Sequence, residues 1–371
     1  MSKYLLGFLL LLFLLPNSLF AQELVQGIKN IWPAEVVSVI SEREENIPGT
    51  DTKTTVQNIS VRLTDGEREG EIVTFDNDMV RLSSGDKIYV TYVKDMGGQE
   101  FFYLKDVRRQ TPMIVLIVLF VSLLAVFAGW QGLRALLSLV GSVAAILFVL
   151  VPAMLAGYDP VLVSLLVAGV ILTLAILGTH GLNPISITAL AGTFGAVLVT
   201  SVVAWTFVYW MRLTGFGDDA SVPLNFATNG ELDFVGLLLG SIIIGVLGVL
   251  DDVSITQASV VTELKKANPA LRMWQLYNRA IKVGRDHVGS LVNTLALAYV
   301  GAALPLVLLF STSQYPLSLT LNQELIAAEI VRIIVGSIGL ILAVPLSTIL
   351  AAWWFDSRTV GDDLAEHTHH H

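Results

Sequence analysis

The 371-residue chain has no cysteine, and only 14% of its residues are charged. Without cysteine there is no disulfide, no thiolate metal site and no cysteine nucleophile. Soluble domains carry about a quarter charged residues, and here the shortage is concentrated. Between Pro112 and Met211 the only Asp, Glu, Lys or Arg side chains are Arg134 and Asp159. A stretch so empty of charge cannot cover a water-facing surface, which makes this an integral membrane protein. A net charge of −9 argues against a nucleic-acid-binding surface. The chain also lacks a Gly-x-x-x-x-Gly-Lys-Ser/Thr loop, so no nucleotide is expected to supply energy. Neither a cofactor nor an enzymatic activity is expected.

What is present divides into four parts. Residues 1–21 have one cation, an apolar core from Leu5 to Leu15, then Pro16-Asn17-Ser18, which is the layout of a secretory signal peptide or an N-terminal anchor. Residues 22–110 are rich in charge and hold alternating runs at Ala34–Ser41, Thr54–Leu63, Glu69–Phe75, Asp86–Val93 and Phe101–Val107. Turn signals at Pro48-Gly49, Asp65-Gly66, Ser84-Gly85 and Gly97-Gly98 separate them, predicting a small exported all-β domain, an OB-like closed or partly closed barrel. It lacks the basic, aromatic-studded surface that a nucleic-acid role needs. Residues 111–356 form an all-α polytopic region, and 357–371 are a cytoplasmic tail whose terminal histidines look like an expression tag.

Hydropathy predicts seven spans, about Met113–Phe127, Leu136–Ala156, Val161–Leu177, Ile185–Met211, Phe234–Thr262, Val288–Phe310 and Leu325–Phe355. Lys265, Lys266, Arg272, Arg279, Lys282 and Arg285 lie between spans five and six, whereas Asp218, Asp219, Glu231 and Asp233 dominate between spans four and five. The positive-inside rule makes the first segment cytoplasmic and the second external, in keeping with an exported β domain. Trp205, Tyr209 and Trp210 mark the outer end of span four, and Trp353 and Trp354 the inner end of span seven. The expected location is the bacterial cytoplasmic membrane.

Span five carries the most chemistry. Asp251 and Asp252 lie roughly 20 Å from the cytoplasmic end at Lys265. That is near the bilayer middle, where an ionised side chain costs at least ~2.5–3.5 kcal/mol. Two adjacent acids there do not both ionise easily, and a carboxyl that switches between neutral and charged suits a proton or another cation. Asp252, Thr256, Ser259 and Glu263 share one helical face, so a relay of Asp252, Asp251, Thr256 and Ser259 is expected. Asn293 and Thr294 of span six could face it. Glu329 and Arg332, three apart in span seven, are expected to form a structural intramembrane ion pair. His180, in Gly178-Thr179-His180-Gly181, reads as an inner-loop residue.

These residues resemble the YibE/F family of bacterial multispan membrane proteins, over the β domain and the helical region together. The most specific element is Gly245–Thr256 (GVLGVLDDVSIT). In the family pattern the acid corresponds to Asp252, and the position of Asp251 is usually apolar; the resemblance therefore implies that Asp252 is the principal group. The same run is similar to the Gly-rich, Asp-bearing helix of proton-driven permeases of the resistance-nodulation-division type and of the SecD/SecF export factors. Gly289 and Gly301–Pro305 match the Gly/Pro-bearing helix that follows there; a mid-membrane Lys has no counterpart, since Arg332 is the one cation within a span. These likenesses imply a transporter or export factor coupled to a proton or cation gradient. Because such permeases have two six-helix halves, they also imply a homodimer or a related membrane subunit in the lipid bilayer. An intramembrane aspartyl protease needs two acids on separate helices, which span five alone does not offer. The remaining alternative is a non-transporting scaffold or sensor whose β domain binds a partner.

Overall fold

A computed structural model of the protein describes residues 31–356, apart from 48, 50, 51, 67, 95–97, 218, 219, 313 and 314. The expected leader and the histidine-ended tail lie outside the described residues. The chain forms two compact units that divide at Leu123/Leu124.

The first unit is an antiparallel sheet of β1 (Ile31–Asn46), β2 (Lys53–Leu63), β3 (Ile72–Asn77), β4 (Lys87–Lys94) and β5 (Glu100–Val107). Their spatial order is β3-β2-β1-β4-β5. Side chains of alternating polarity fold this way because successive residues face opposite sides of the sheet. Thus Val73 and Phe75 of β3, Ile59, Val61 and Leu63 of β2, and Ile88 and Val90 of β4 are all buried. Two irregularities, at Val36/Ser38 and Val39/Ser41, bend the long β1. The sheet is not a closed barrel: β3 and β5 approach each other, but no hydrogen-bonded ladder joins them. Arg68, in the loop before β3, spans that gap by bonding Glu71 at 2.6 and 2.7 Å and Glu100 of β5 at 2.7 Å. Its guanidinium also lies 5.3 to 5.9 Å from the rings of Phe102, Trp32 and Tyr92. Gly66 (φ 92°) lies under Trp32, where an added Cβ would meet the indole at 2.7 Å.

The second unit is helical. It is entered within α1 (Gln110–Ala145), whose first part, to Leu123, belongs to the first unit; α1 continues through a π-turn at Ile146–Leu150 into α2 (Val151–Leu155). The sequence predicts two spans here, with a break between Phe127 and Leu136; the structure has two helical stretches that meet at a kink at Gly129 (φ 54°, ψ −137°). Glycine alone takes that conformation without a Cβ penalty. Next come α3 (Pro160–His180), α4 (Pro184–Trp210) and the short α5 (Ser221–Ala227). After them follow α6 (Phe234–Ala267), α7 (Met273–Ala302), α8 (Leu304–Ser311), α9 (Leu317–Asn322) and α10 (Glu324–Asp356). Among the described residues five helices are long and apolar enough to cross a membrane, or six if α7 and α8, bent by 67°, count as one. The unit is a membrane-embedded bundle.

Helix starts follow local chemistry. Asp159, Asn183 and Asp233 each accept a bond from the backbone N–H three residues on, at 2.7, 2.9 and 3.0 Å, ahead of α3, α4 and α6. Pro160 and Pro184 follow at the first helical position, where a missing N–H costs nothing. Helices α4, α6 and α10 pack on one another around Val197, Ile242, Val246 and Leu340, with α3 against α6. Between them small residues allow close approach: a Cβ on Gly192 would lie 2.6 Å from the Cα of Ser347.

Candidate functional site

The site is assembled by three helices. A cleft of about 320 Å³ is lined from α1 by Ala135, Ser138, Leu139 and Ser142, from α3 by the stretch ending in Thr179 and His180, and from α6 by Leu247, Gly248, Asp251, Asp252 and Ile255. It has room for several waters, each of which takes about 30 Å³. Asp251 is half-buried and Asp252 exposed. Asp251 Oδ1 accepts from the backbone N–H of Asp252 at 2.9 Å, which folds its carboxylate back along α6.

The hydroxyls around the acids are tied to backbone. Ser138 donates to the Leu174 carbonyl at 2.6 Å, joining α1 to α3. Ser142 donates to the Ser138 carbonyl at 2.9 Å, and Thr256 to the Asp252 carbonyl at 2.9 Å. Their protons are therefore committed, while their oxygens stay available as acceptors.

The other expected residues fall in three places. Thr256 and Ser259 line an open groove of about 490 Å³ with Ile255, Val260, Glu263 and Leu264; this groove continues the exposed stripe of α6 away from the acids. Asn293 is exposed on α7 and lines neither space. Glu329 and Arg332 form an ion pair on α10, and Arg332 also reaches Ser241 of α6 at 3.5 Å. Ser241 lies eleven positions before Asp252, which puts this cluster roughly 16 Å along α6 from the acids.

Two features escape a reading of the sequence. One is His180, the last residue of α3 rather than a loop residue; it is exposed and lines the cleft. Its signal was available: it is the one histidine in the charge-poor stretch from Pro112 to Met211. The other is the level at which the helices meet: the cleft sets the acids beside the second half of α3, toward the end marked by His180. The reason is length: α3 with 21 residues spans about 30 Å, whereas α6 with 34 spans about 51 Å.

Residues 116–357 match the family model described as YibE/F-like protein. The chain belongs to the YibE/F-like family. The match runs from α1 to the end of α10, so the whole cleft, the Glu329–Arg332 pair and the α6 stripe are part of the YibE/F-like region. No curated protein and no solved structure matches the chain.

Proposed function

We propose that this YibE/F-like protein is a transporter or export factor driven by a proton or other cation gradient, with Asp252 as the ion-binding group and Asp251 beside it. The observation that carries the reading is the opening of both carboxyls into one cleft lined by hydroxyl oxygens. Ionisable side chains within spans sit at functional sites by default and face a cavity or a partner charge. The similarity of the Gly245–Thr256 run to resistance-nodulation-division permeases and to SecD/SecF is part of the same proposal. By that analogy the working unit is a homodimer or a complex with a related membrane subunit in the bacterial cytoplasmic membrane.

We infer seven crossings. The helical stretch Gln110–Leu155 has 46 residues and is about 69 Å long, more than twice the hydrocarbon thickness. Two crossings that meet near Gly129 accommodate it. With that count the basic segment Lys265–Arg285 is cytoplasmic and the β unit external, as the charge bias requires. The approach of β3 to β5 supports a partly open, OB-like barrel.

The test uses purified protein in proteoliposomes. Asp252→Asn, checked for folding, is expected to abolish ion flux; wild-type flux in that variant rejects the reading. The scaffold alternative draws on Phe101 and Tyr103, exposed on β5 beside Val93 of β4. Capture of an exported protein through that face, together with absence of ion flux, would favour it.

A further inference from the structure

Resting on the reading of the cleft as an ion site, we propose that His180 is its second proton-exchanging group, and that the ion handled is a proton rather than a metal or alkali cation. The argument begins with position. His180 ends α3, where Gly181 (φ 78°) turns the chain away and Asn183 Nδ2 donates to the His180 carbonyl at 2.9 Å. The imidazole is thus exposed and also lines the cleft that holds the half-buried Asp251. One group faces solvent, the next is partly shielded, and one continuous space joins them.

The neighbouring charges are few. From α6 the cleft receives Asp251 and Asp252; α3 contributes no titratable group besides His180, and α1 contributes none. Arg134 precedes the lining residue Ala135 but is itself exposed and outside the lining. Helix α4, which also packs on α3, carries no charged residue. An imidazolium is therefore the single cation available to the acid pair within the cleft.

Chemistry then separates a proton from other cations. Hard divalent cations take six to eight oxygen ligands, and most of this lining is apolar: Leu139, Ile171, Leu172, Ile176, Leu247 and Ile255. Among the described residues no group of three or more His, Asp or Glu side chains is gathered to hold a metal ion. Imidazole, by contrast, is both donor and acceptor, which suits the exchange of a proton with water. In the step proposed, imidazole takes a proton from solvent on a ring nitrogen and becomes imidazolium. It passes that proton through water in the cleft to a carboxylate oxygen of Asp251. An N–H bond breaks and an O–H bond forms, leaving a neutral imidazole and a neutral carboxyl. The reverse step releases the proton.

The test uses full-length protein in proteoliposomes holding a pH-sensitive dye, under an imposed proton gradient with the membrane potential clamped. His180→Gln is expected to lower proton flux roughly 10²-fold, the lower end of what a positioned acid–base group contributes. His180→Ala is expected to be equally slow and to regain flux when imidazole is added. Replacing Na⁺ with choline is expected to change nothing. Wild-type flux in His180→Gln, with Asp252→Asn silent, rejects the role of His180 and leaves the acid site standing. Wild-type flux in Asp252→Asn overturns the reading beneath it. A His180→Ala variant that stays silent in imidazole shows a structural role, and a requirement for Na⁺ rejects the proton; either outcome overturns the proposal.

Discussion

His180 at the end of α3 and Asp251 in the middle of α6 line the same cleft. What joins them is the parallel packing of the two helices: a Cβ on Gly236 would touch Pro160 at 3.0 Å, and one on Gly240 would lie 2.5 Å from Ser164 Oγ of α3. Because α3 is the shorter helix, its end meets α6 part-way along. The site therefore depends on helix packing far from its own residues.

Close packing elsewhere in the bundle, of α4 on α10, can be tested at Gly192. Gly192→Ala would press a methyl group against the Ser347 backbone, forcing α4 from α10. We expect a loss of roughly 1–3 kcal/mol, the usual cost of overpacking, measured by reversible unfolding in mixed micelles. Gly289→Ala, where a Cβ would meet nothing within 4 Å, is expected to be neutral or slightly stabilising.

The ion pair on α10 offers a double-variant test. Glu329→Gln or Arg332→Gln alone leaves one charge without its partner, at roughly 2.5–3.5 kcal/mol on an insertion scale. The double variant removes both charges and is expected to regain most of that loss. Equal destabilisation by single and double variants would show that the pair adds nothing.

In the β unit the buried Gln57 takes the backbone N–H of Leu82 at 2.7 Å and gives a hydrogen bond to its carbonyl at 3.1 Å. Gln57→Leu strands both groups, and the cost of an unsatisfied buried group is about 1–3 kcal/mol. Hydrogen exchange of β2 in the full-length protein is expected to speed up accordingly.

The same unit is expected to loosen in acid. The hydrogen bond from Gln57, then that from Arg81, holds the Glu42 carboxyl below its ordinary value of 4.5. Arg43, then Asn58, does the same for Asp76 from 3.8. A carboxyl lowered on folding contributes stability that is complete above its ordinary value and is lost as pH falls through the folded value. Exchange protection of β1 and β2 should therefore decline below about pH 4.5, and Asp76→Asn should weaken that dependence. Both carboxyls are at the surface, so the effect is expected to be small.

Much of this architecture is legible in the sequence. Five alternating runs with turn residues between them locate the five strands to within a few residues, because alternation follows directly from the pleat. Of the helices from Pro160 onward, α3, α4, α6 and α10 are marked by their caps or apolar lengths. The sixth predicted span, Val288–Phe310, is not, since α7 starts at Met273 and a 67° bend separates it from α8. Sheet closure was not legible, since it depends on how far β3 and β5 are brought together rather than on any residue in them. The break in Gln110–Leu155 was legible in position, since the kink at Gly129 falls between the two predicted apolar runs, but its form as a kink at one glycine was not. In the site, Asp251 and Asp252 stand out because acids are costly in a span. His180 does not, because its importance comes from where α3 ends against α6.

The most direct test of the central claim asks whether water enters the cleft, and the cysteine-free chain allows single cysteines without a background. Gly248→Cys and Thr179→Cys place thiols in the lining, at Gly248 where an added Cβ meets nothing within 4 Å; Ile242→Cys places one in the packed core. A small, membrane-impermeant thiol reagent, applied to oriented vesicles, is expected to modify the first two from one side only and to leave the third untouched. Protection of Gly248→Cys and Thr179→Cys to the level of Ile242→Cys would contradict a water-accessible ion site at Asp251 and Asp252.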